Sequence, residues 1–292
     1  MRAIATVSGF EALNAALKTS LIIRQRSALT YLHYSHQLAS MCLYFNCLPC
    51  ELSQAQIDEY LVYILGRTQG KSVTVYKQVI FALKYYFRHV VRLPVPILPE
   101  VIQRYGLPVV LSKAECKRLF SAPIYLKHRI VLSLIYSAGL RISEAVKLKI
   151  ADIDFDRFTL MVRDGKGAKD RCLPLSKVIA QGLVKYMAEF KPQNWLFNSN
   201  KIGKPYSTRS IQSVMQQSIT KAGIDKPKAS VHTLRHSFAT HLLENGVNIV
   251  TVQALMGHSK IETTLVYLQL LSRDTQSVKS PLDSLYGRWK WN

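Results

Sequence analysis

The segment His232-Thr233-Leu234-Arg235-His236 sets two imidazoles and a guanidinium within a few residues of one another. On a helix, positions i, i+3 and i+4 share a face, so His232, Arg235 and His236 point the same general way. Such a face suits a phosphate. It reads equally as the solvated side of a helix that sits on its core through Leu234, Phe238 and Leu242. Further on, Leu255-Met256-Gly257-His258-Ser259 sets a helix-stopping glycine before a histidine at a turn. A short helix with Thr263, Thr264 and Tyr267 follows, and a tyrosine in that setting, taken singly, is a packing residue. Upstream, Gly139-Leu140-Arg141-Ile142-Ser143-Glu144 brings Arg141 to the start of a helix, where the dipole gives a cation nothing. Glu144 suits that dipole and reads as structural. Asp164-Gly165-Lys166-Gly167-Ala168-Lys169-Asp170-Arg171 is an ordinary hairpin turn, without Walker spacing, that carries Lys166 between two glycines.

The elements that must position these groups are mostly helices. In the N-terminal part, Ser27–Phe45 carries Leu29, Leu32, Leu38, Met41, Leu43 and Phe45 at helical spacing. Leu52–Leu65 starts at a cap on Ser53, and Thr74–Val91 separates Lys77, Lys84 and Arg88 from Val79, Ile80, Leu83 and Phe87. Arg92–Pro108 gathers Pro94, Pro96, Pro99 and Pro108, which predicts an extended segment. The expected division is a helical domain at 1–93, a linker at 94–110, a second domain at 111–271 and a tail at 272–292. The second domain opens with a capping box between Ser112 and Glu115. It continues with helix His128–Ser137 ended by Gly139, strands Phe158–Arg163 and Arg171–Leu175, and helices Ile179–Phe190, Ser210–Ala222, His232–Asn245 and Ile249–Met256.

Composition narrows the partner. Lys and Arg number 39 against 18 Asp and Glu, a formal net charge of +21, which favours a polyanion through counterion release. Charge alone leaves DNA, RNA and anionic membrane surfaces open. The N-terminus does not read as a signal peptide, and no long apolar run predicts a membrane span. Cys47 and Cys50 form a lone CxxC without a second pair, so the five cysteines read as thiols in a reducing compartment, ahead of a zinc site.

In their order and spacing, Arg141, Lys166, the His232–His236 segment, Gly257-His258 and Tyr267 resemble the tyrosine recombinase, or phage integrase-like, family, in an Xer-like two-domain form. The likeness runs from the helical N-terminal part through Leu107-Pro108-Val109-Val110-Leu111-Ser112 to Tyr267. The family's active positions fall on Arg141, Lys166, His232, Arg235, His258 and Tyr267, with none missing; Met256 stands where leucine is common. The resemblance implies a mainly α fold with a small antiparallel β-sheet: an N-terminal SAM-like DNA-binding bundle and a C-terminal catalytic domain. It implies cleavage and rejoining of DNA through a covalent 3′-phosphotyrosyl intermediate on Tyr267, for integration, excision or resolution of DNA elements. Within that chemistry His232 takes the phenolic proton, Arg141 and Arg235 clamp the non-bridging oxygens, His258 donates to them, and Lys166 protonates the leaving oxygen. No metal, cofactor or ATP enters. The partners implied are double-stranded DNA, three further copies in a homotetramer with two subunits per site, and accessory DNA-bending proteins; no membrane is involved. Residues 272–292 would dock on a neighbouring subunit, and the protein would be cytoplasmic and nucleoid-associated in a bacterial cell. The competing readings are a type IB topoisomerase-like enzyme, which would relax supercoils without recombinant products, and a DNA-binding regulator on the same scaffold, which the intact active positions disfavour.

Overall fold

In the computed structural model, residues 3, 6–67, 73–101, 106–163, 170–199 and 203–270 are described. The chain divides into two units, Met1–Arg104 and Tyr105–Asn292. The first contains helices α1 (Phe10–Ile23), α2 (Ala28–Phe45), α3 (Gln54–Arg67) and α4 (Val73–Tyr85), the last running into a π-helical turn at Tyr86–Val91. Helix α2 starts where Ser27 accepts the Thr30 N–H at 3.1 Å, satisfying one of the helix's orphan donors. Its inward face is built on Leu38, Met41 and Cys42, flanked by Tyr31, Tyr34 and Phe45. Leu29, Leu32 and Leu43, expected on that face, are exposed. The tyrosines complete a spacing of three and four residues with Leu38 and Met41, which rotates the stripe away from the leucines. Helix α1, unforeseen, buries Phe10, Leu13, Leu17 and Leu21 at the same spacing. Val79, Ile80, Leu83 and Phe87 are buried as expected. Between Arg92 and Val101 there is neither helix nor strand, yet Val95, Leu98 and Val101 pack on this unit's core, and the Gln54 amide pairs with both backbone groups of Ile97 at 2.9 Å.

The second unit contains α5 (Lys113–Ser121), α6 (Leu126–Ser137), α7 (Ile142–Ala145), strands β1 (Ile153–Asp154), β2 (Thr159–Val162) and β3 (Arg171–Pro174), then α8 (Lys177–Phe190), α9 (Thr208–Lys221), α10 (Val231–Glu244), α11 (Ile249–Met256) and α12 (Glu262–Leu265). A 3₁₀ turn, Val266–Leu270, follows α12. The strands form one antiparallel sheet in the order β1-β2-β3, with Leu160 opposite Leu173 and Val162 opposite Arg171. Thus the fold is mainly helical with one small sheet, as the resemblance implied. The capping box forms in full: Ser112 accepts from the Glu115 N–H at 3.1 Å and Glu115 accepts from the Ser112 N–H at 2.7 Å.

Helix α10 departs from the amphipathic reading. It buries Val231, Leu234, Phe238, Ala239 and Leu243, but also Thr233, Arg235, Ser237, Thr240 and His241. It therefore runs through the core, and its polar groups need internal partners. Ser237 accepts the Leu111 N–H at 2.9 Å, and His241 shares a 2.9 Å hydrogen bond with the Tyr136 hydroxyl. Gly139, at φ +59°, ends α6 against α10, where an added Cβ would lie 2.4 Å from the Phe238 ring. That close approach brings the end of α6 and residue 141 to the middle of α10. Among the described residues no helix is long and apolar enough to cross a membrane.

Candidate active site

Arg235 organises the site. It is only 4% exposed, and its guanidinium donates to the carbonyls of Gly139 and Met256 and, at 3.1 Å, to His258 Nε2. The two carbonyls lie at the C-terminal ends of α6 and α11, where backbone acceptors lack partners along the helix and a cation is favoured. Burial and the neighbouring Arg141 charge lower the Arg235 pKa to about 9, which leaves it charged at neutral pH.

Arg141 stands at the N-cap of α7. Its backbone N–H and its Nη1 each donate to the Glu144 carboxylate at 2.8 Å, and its Nη2 donates to the Gly257 carbonyl at 3.1 Å. Arg171, the first residue of β3, donates to the same carboxylate at 2.9 and 2.7 Å and to the Leu255 carbonyl at 3.1 Å. Burial pushes the Glu144 pKa up, but the Arg171 and Arg141 donors outweigh it and bring it down to about 2. Glu144 is therefore a buried carboxylate that aligns two guanidiniums, more than a residue placed for a helix dipole. Three guanidiniums (Arg141, Arg171, Arg235) set against one carboxylate (Glu144) leave an excess of positive charge that an oxyanion would balance.

The nucleophile candidate closes the cluster. Tyr267 lies on the 3₁₀ turn, 3% exposed, its ring nearly parallel to His258 at 15° and 6.4 Å between centroids. Burial raises the pKa of its phenol, while the Arg235 and Arg141 charges pull it back. Gly257, at φ +59°, ends α11 and turns the chain so that His258 Nδ1 meets the Thr264 hydroxyl at 2.9 Å. Arginine can only donate, so His258 Nε2 is an acceptor and the ring's proton sits on Nδ1, facing Thr264. Burial, then the charges of Arg235 and Arg141, lower the His258 pKa to about 4 and keep it neutral.

Expectation and structure part over the histidines of α10. The phenolic oxygen of Tyr267 shares a 3.0 Å hydrogen bond with His236 Nδ1. His232 is exposed and, among the described residues, makes no hydrogen bond to Tyr267. Partial desolvation and the Arg235 and Arg141 charges hold the His232 pKa below its ordinary value. The fold thus gathers Arg141, His232, Arg235, His258 and Tyr267, and adds Glu144, Arg171 and His236. His236 was visible on the same helix face, whereas no local pattern links Arg171 to Glu144. Lys166 lies outside the described residues. A groove of about 940 Å³, lined by Tyr125, His128, Phe190 and Tyr206 among others, takes in none of these groups. Among the described residues no cluster of His, Cys, Asp or Glu is placed to hold a metal ion.

Residues 110–273, which span the whole cluster, match the model of the phage integrase family. The chain belongs to that family. It is a tyrosine recombinase, an enzyme of site-specific DNA cleavage and rejoining. An integrase/recombinase of Escherichia coli is 31% identical, with 89% of this chain and 92% of that protein covered. The tyrosine recombinase XerA of Thermococcus kodakarensis is 38% identical over 70% of this chain and 73% of its own length. Among solved structures, XerH recombinase in a post-cleavage complex with its palindromic difH substrate shares the fold, at a TM-score of 0.71 and 22% identity over 93% of this chain and 83% of that one.

Proposed function

We propose that Tyr267 attacks a phosphodiester of duplex DNA, forming a 3′-phosphotyrosyl bond and releasing a 5′-hydroxyl. The observation that carries this reading is the buried phenol of Tyr267 within the charge of Arg141 and Arg235. Arg141 and Arg235 hold the non-bridging oxygens as negative charge builds on them. Their directions are set beforehand, by Glu144 for one and by helix-end carbonyls for the other. On binding phosphate, His258 exchanges its acceptor contact with Arg235 for the tautomer protonated on Nε2, which donates to the same oxygens. His232, exposed and neutral at working pH, accepts the phenolic proton, and Lys166 protonates the departing oxygen. A 5′-hydroxyl from a second duplex then displaces Tyr267, so the phosphotyrosyl bond conserves the energy of the linkage and neither ATP nor metal is required.

The basic surface, with exposed Arg209 and Lys228 in the second unit, contacts phosphates. Strand exchange between two sites calls for a homotetramer, two subunits per duplex, aided by DNA-bending proteins in a bacterial cytoplasm. Residues 272–292, with Leu282, Leu285, Trp289 and Trp291, lie outside the described residues and are assigned to subunit contact. A domain division at 1–93 and 111–271, with 94–110 between, gives each duplex contacts from both parts of the chain.

The test traps the intermediate. The protein is incubated with labelled genomic or element-end duplexes nicked near candidate sites, denatured, and examined for a protein–DNA adduct. An adduct with Tyr267 that disappears in Tyr267→Phe establishes the nucleophile. An adduct that survives in Tyr267→Phe refutes the assignment, and relaxed plasmid without any recombinant product would favour topoisomerase chemistry.

A further inference from the structure

We propose that His236 is the positioning residue of the nucleophile: its Nδ1 accepts a hydrogen bond from the Tyr267 hydroxyl and so aims the oxygen's lone pairs toward Arg141 and Arg235. The inference rests on the reading of Tyr267 as the nucleophile and adds a residue outside the family positions carried over from the sequence.

Three observations bear it. The 3.0 Å hydrogen bond joins α10, a helix buried along most of its length, to the short 3₁₀ turn that carries Tyr267. The phenol ring is also nearly parallel to His258 and packs in a small core with Phe238, Ala239 and Leu243, so its plane and position are held. The bond at the oxygen adds what packing cannot, a fixed direction for the hydroxyl hydrogen. Finally, burial and the His232 and Arg235 charges bring the His236 pKa to about 4, so the ring is neutral and offers one lone-pair nitrogen. A phenol is a stronger acid than a neutral imidazole N–H, so in this pair the phenol donates. With its hydrogen directed at His236, the oxygen presents lone pairs away from α10's histidine.

The same shifts separate positioning from proton transfer. Burial raises the Tyr267 phenol and lowers the His236 ring, so both shifts oppose proton transfer between them in the resting site. His236 therefore holds the hydroxyl's direction before attack, and the hydroxyl gives its proton to His232 only as the phosphorus–oxygen bond forms. A nucleophile misplaced by about 1 Å loses on the order of a hundredfold in rate, which sets the expected effect.

The experiment compares wild type, His236→Leu and His236→Asn on the nicked duplexes that give adduct with wild type, measuring adduct rate and duplex affinity separately. The Asn amide occupies the place of Nδ1 and makes a hydrogen bond but takes no proton. Expected are an adduct rate roughly a hundredfold lower in His236→Leu, recovery to within a few-fold of wild type in His236→Asn, and equal duplex affinity in all. Asn as slow as Leu would overturn positioning and favour proton transfer, and wild-type rates in both variants would show that the contact has no role. A DNA-free arm keeps the two readings apart: ¹⁵N-histidine spectra should show a hydrogen-bonded, unprotonated Nδ1 at His236 that changes in Tyr267→Phe. If wild type forms no adduct at all, the nucleophile reading fails while the spectra still decide the contact; an Nδ1 signal unmoved by Tyr267→Phe would refute it.

Discussion

Tyr60 and Tyr86 in the first unit and Tyr267 in the second are all buried, at 1%, 1% and 3% exposure. Their surroundings differ. Burial drives the Tyr60 pKa to about 12 and raises that of Tyr86 further, the latter helped by its hydrogen bond with Cys50. Tyr60 packs edge-on and tilted against Tyr44, Phe45 and Tyr63, and such phenols are packing residues with a polar end. Tyr267 experiences the same desolvation, but two guanidiniums oppose it. Arg67 opposes the rise at Tyr60 too, but at Tyr267 two guanidiniums do so, and more of the rise that burial causes is offset there. The second unit can hold those cations, Arg235 buried and Arg141 half-buried, because helix ends and one carboxylate supply their partners.

The sharpest way to break this contrast is to remove each phenol. Tyr267→Phe is expected to abolish adduct formation, whereas Tyr60→Phe should keep the wild-type yield; equal losses would mean that the environment does not matter. Next in size is Arg235→Ala. It should slow adduct formation by about a hundredfold to a thousandfold, or roughly 3–4 kcal/mol. It should also lower stability, because the Gly139 and Met256 carbonyls lose their donor at about 1–3 kcal/mol each. Single-turnover rates and denaturant midpoints measured together would separate the two effects.

Glu144→Gln tests what aligns the cations. The folded pKa of about 2 lies below the ordinary 4.5, so folding favours the charged form. Its contribution, up to about 3 kcal/mol, is present above pH 4.5 and is lost as pH falls toward 2. The variant should lack that slope in a stability–pH series, and a slope identical to wild type would assign it to another carboxylate. The smallest effects belong to the caps. Ser27→Ala and Ser112→Ala should each weaken their own unit by about 1 kcal/mol in urea titrations, without changing the adduct rate.

Much of the scaffold was legible locally. The caps at Ser53 and Ser112, the stop at Gly139, the hairpin strands and α11 all follow from short-range rules, since each depends on residues within a turn or two. Where the reading slipped, a local choice was ambiguous. Leaving Tyr31 and Tyr34 out of the α2 stripe rotated its inward face; β1 is two residues long, and the π turn after α4 has no clear sequence marker.

The sequence by itself determined which reactive groups exist, their order along the chain, and that His232, Arg235 and His236 share one helix face. Tertiary structure alone decided that Arg235 is buried, that Glu144 joins Arg141 to Arg171, and that His236 meets Tyr267. The reason is physical. Helical periodicity specifies neighbours three or four residues apart, while these partnerships bridge up to 96 positions and exist only because the ends of α6 and α11 meet α10 along its length.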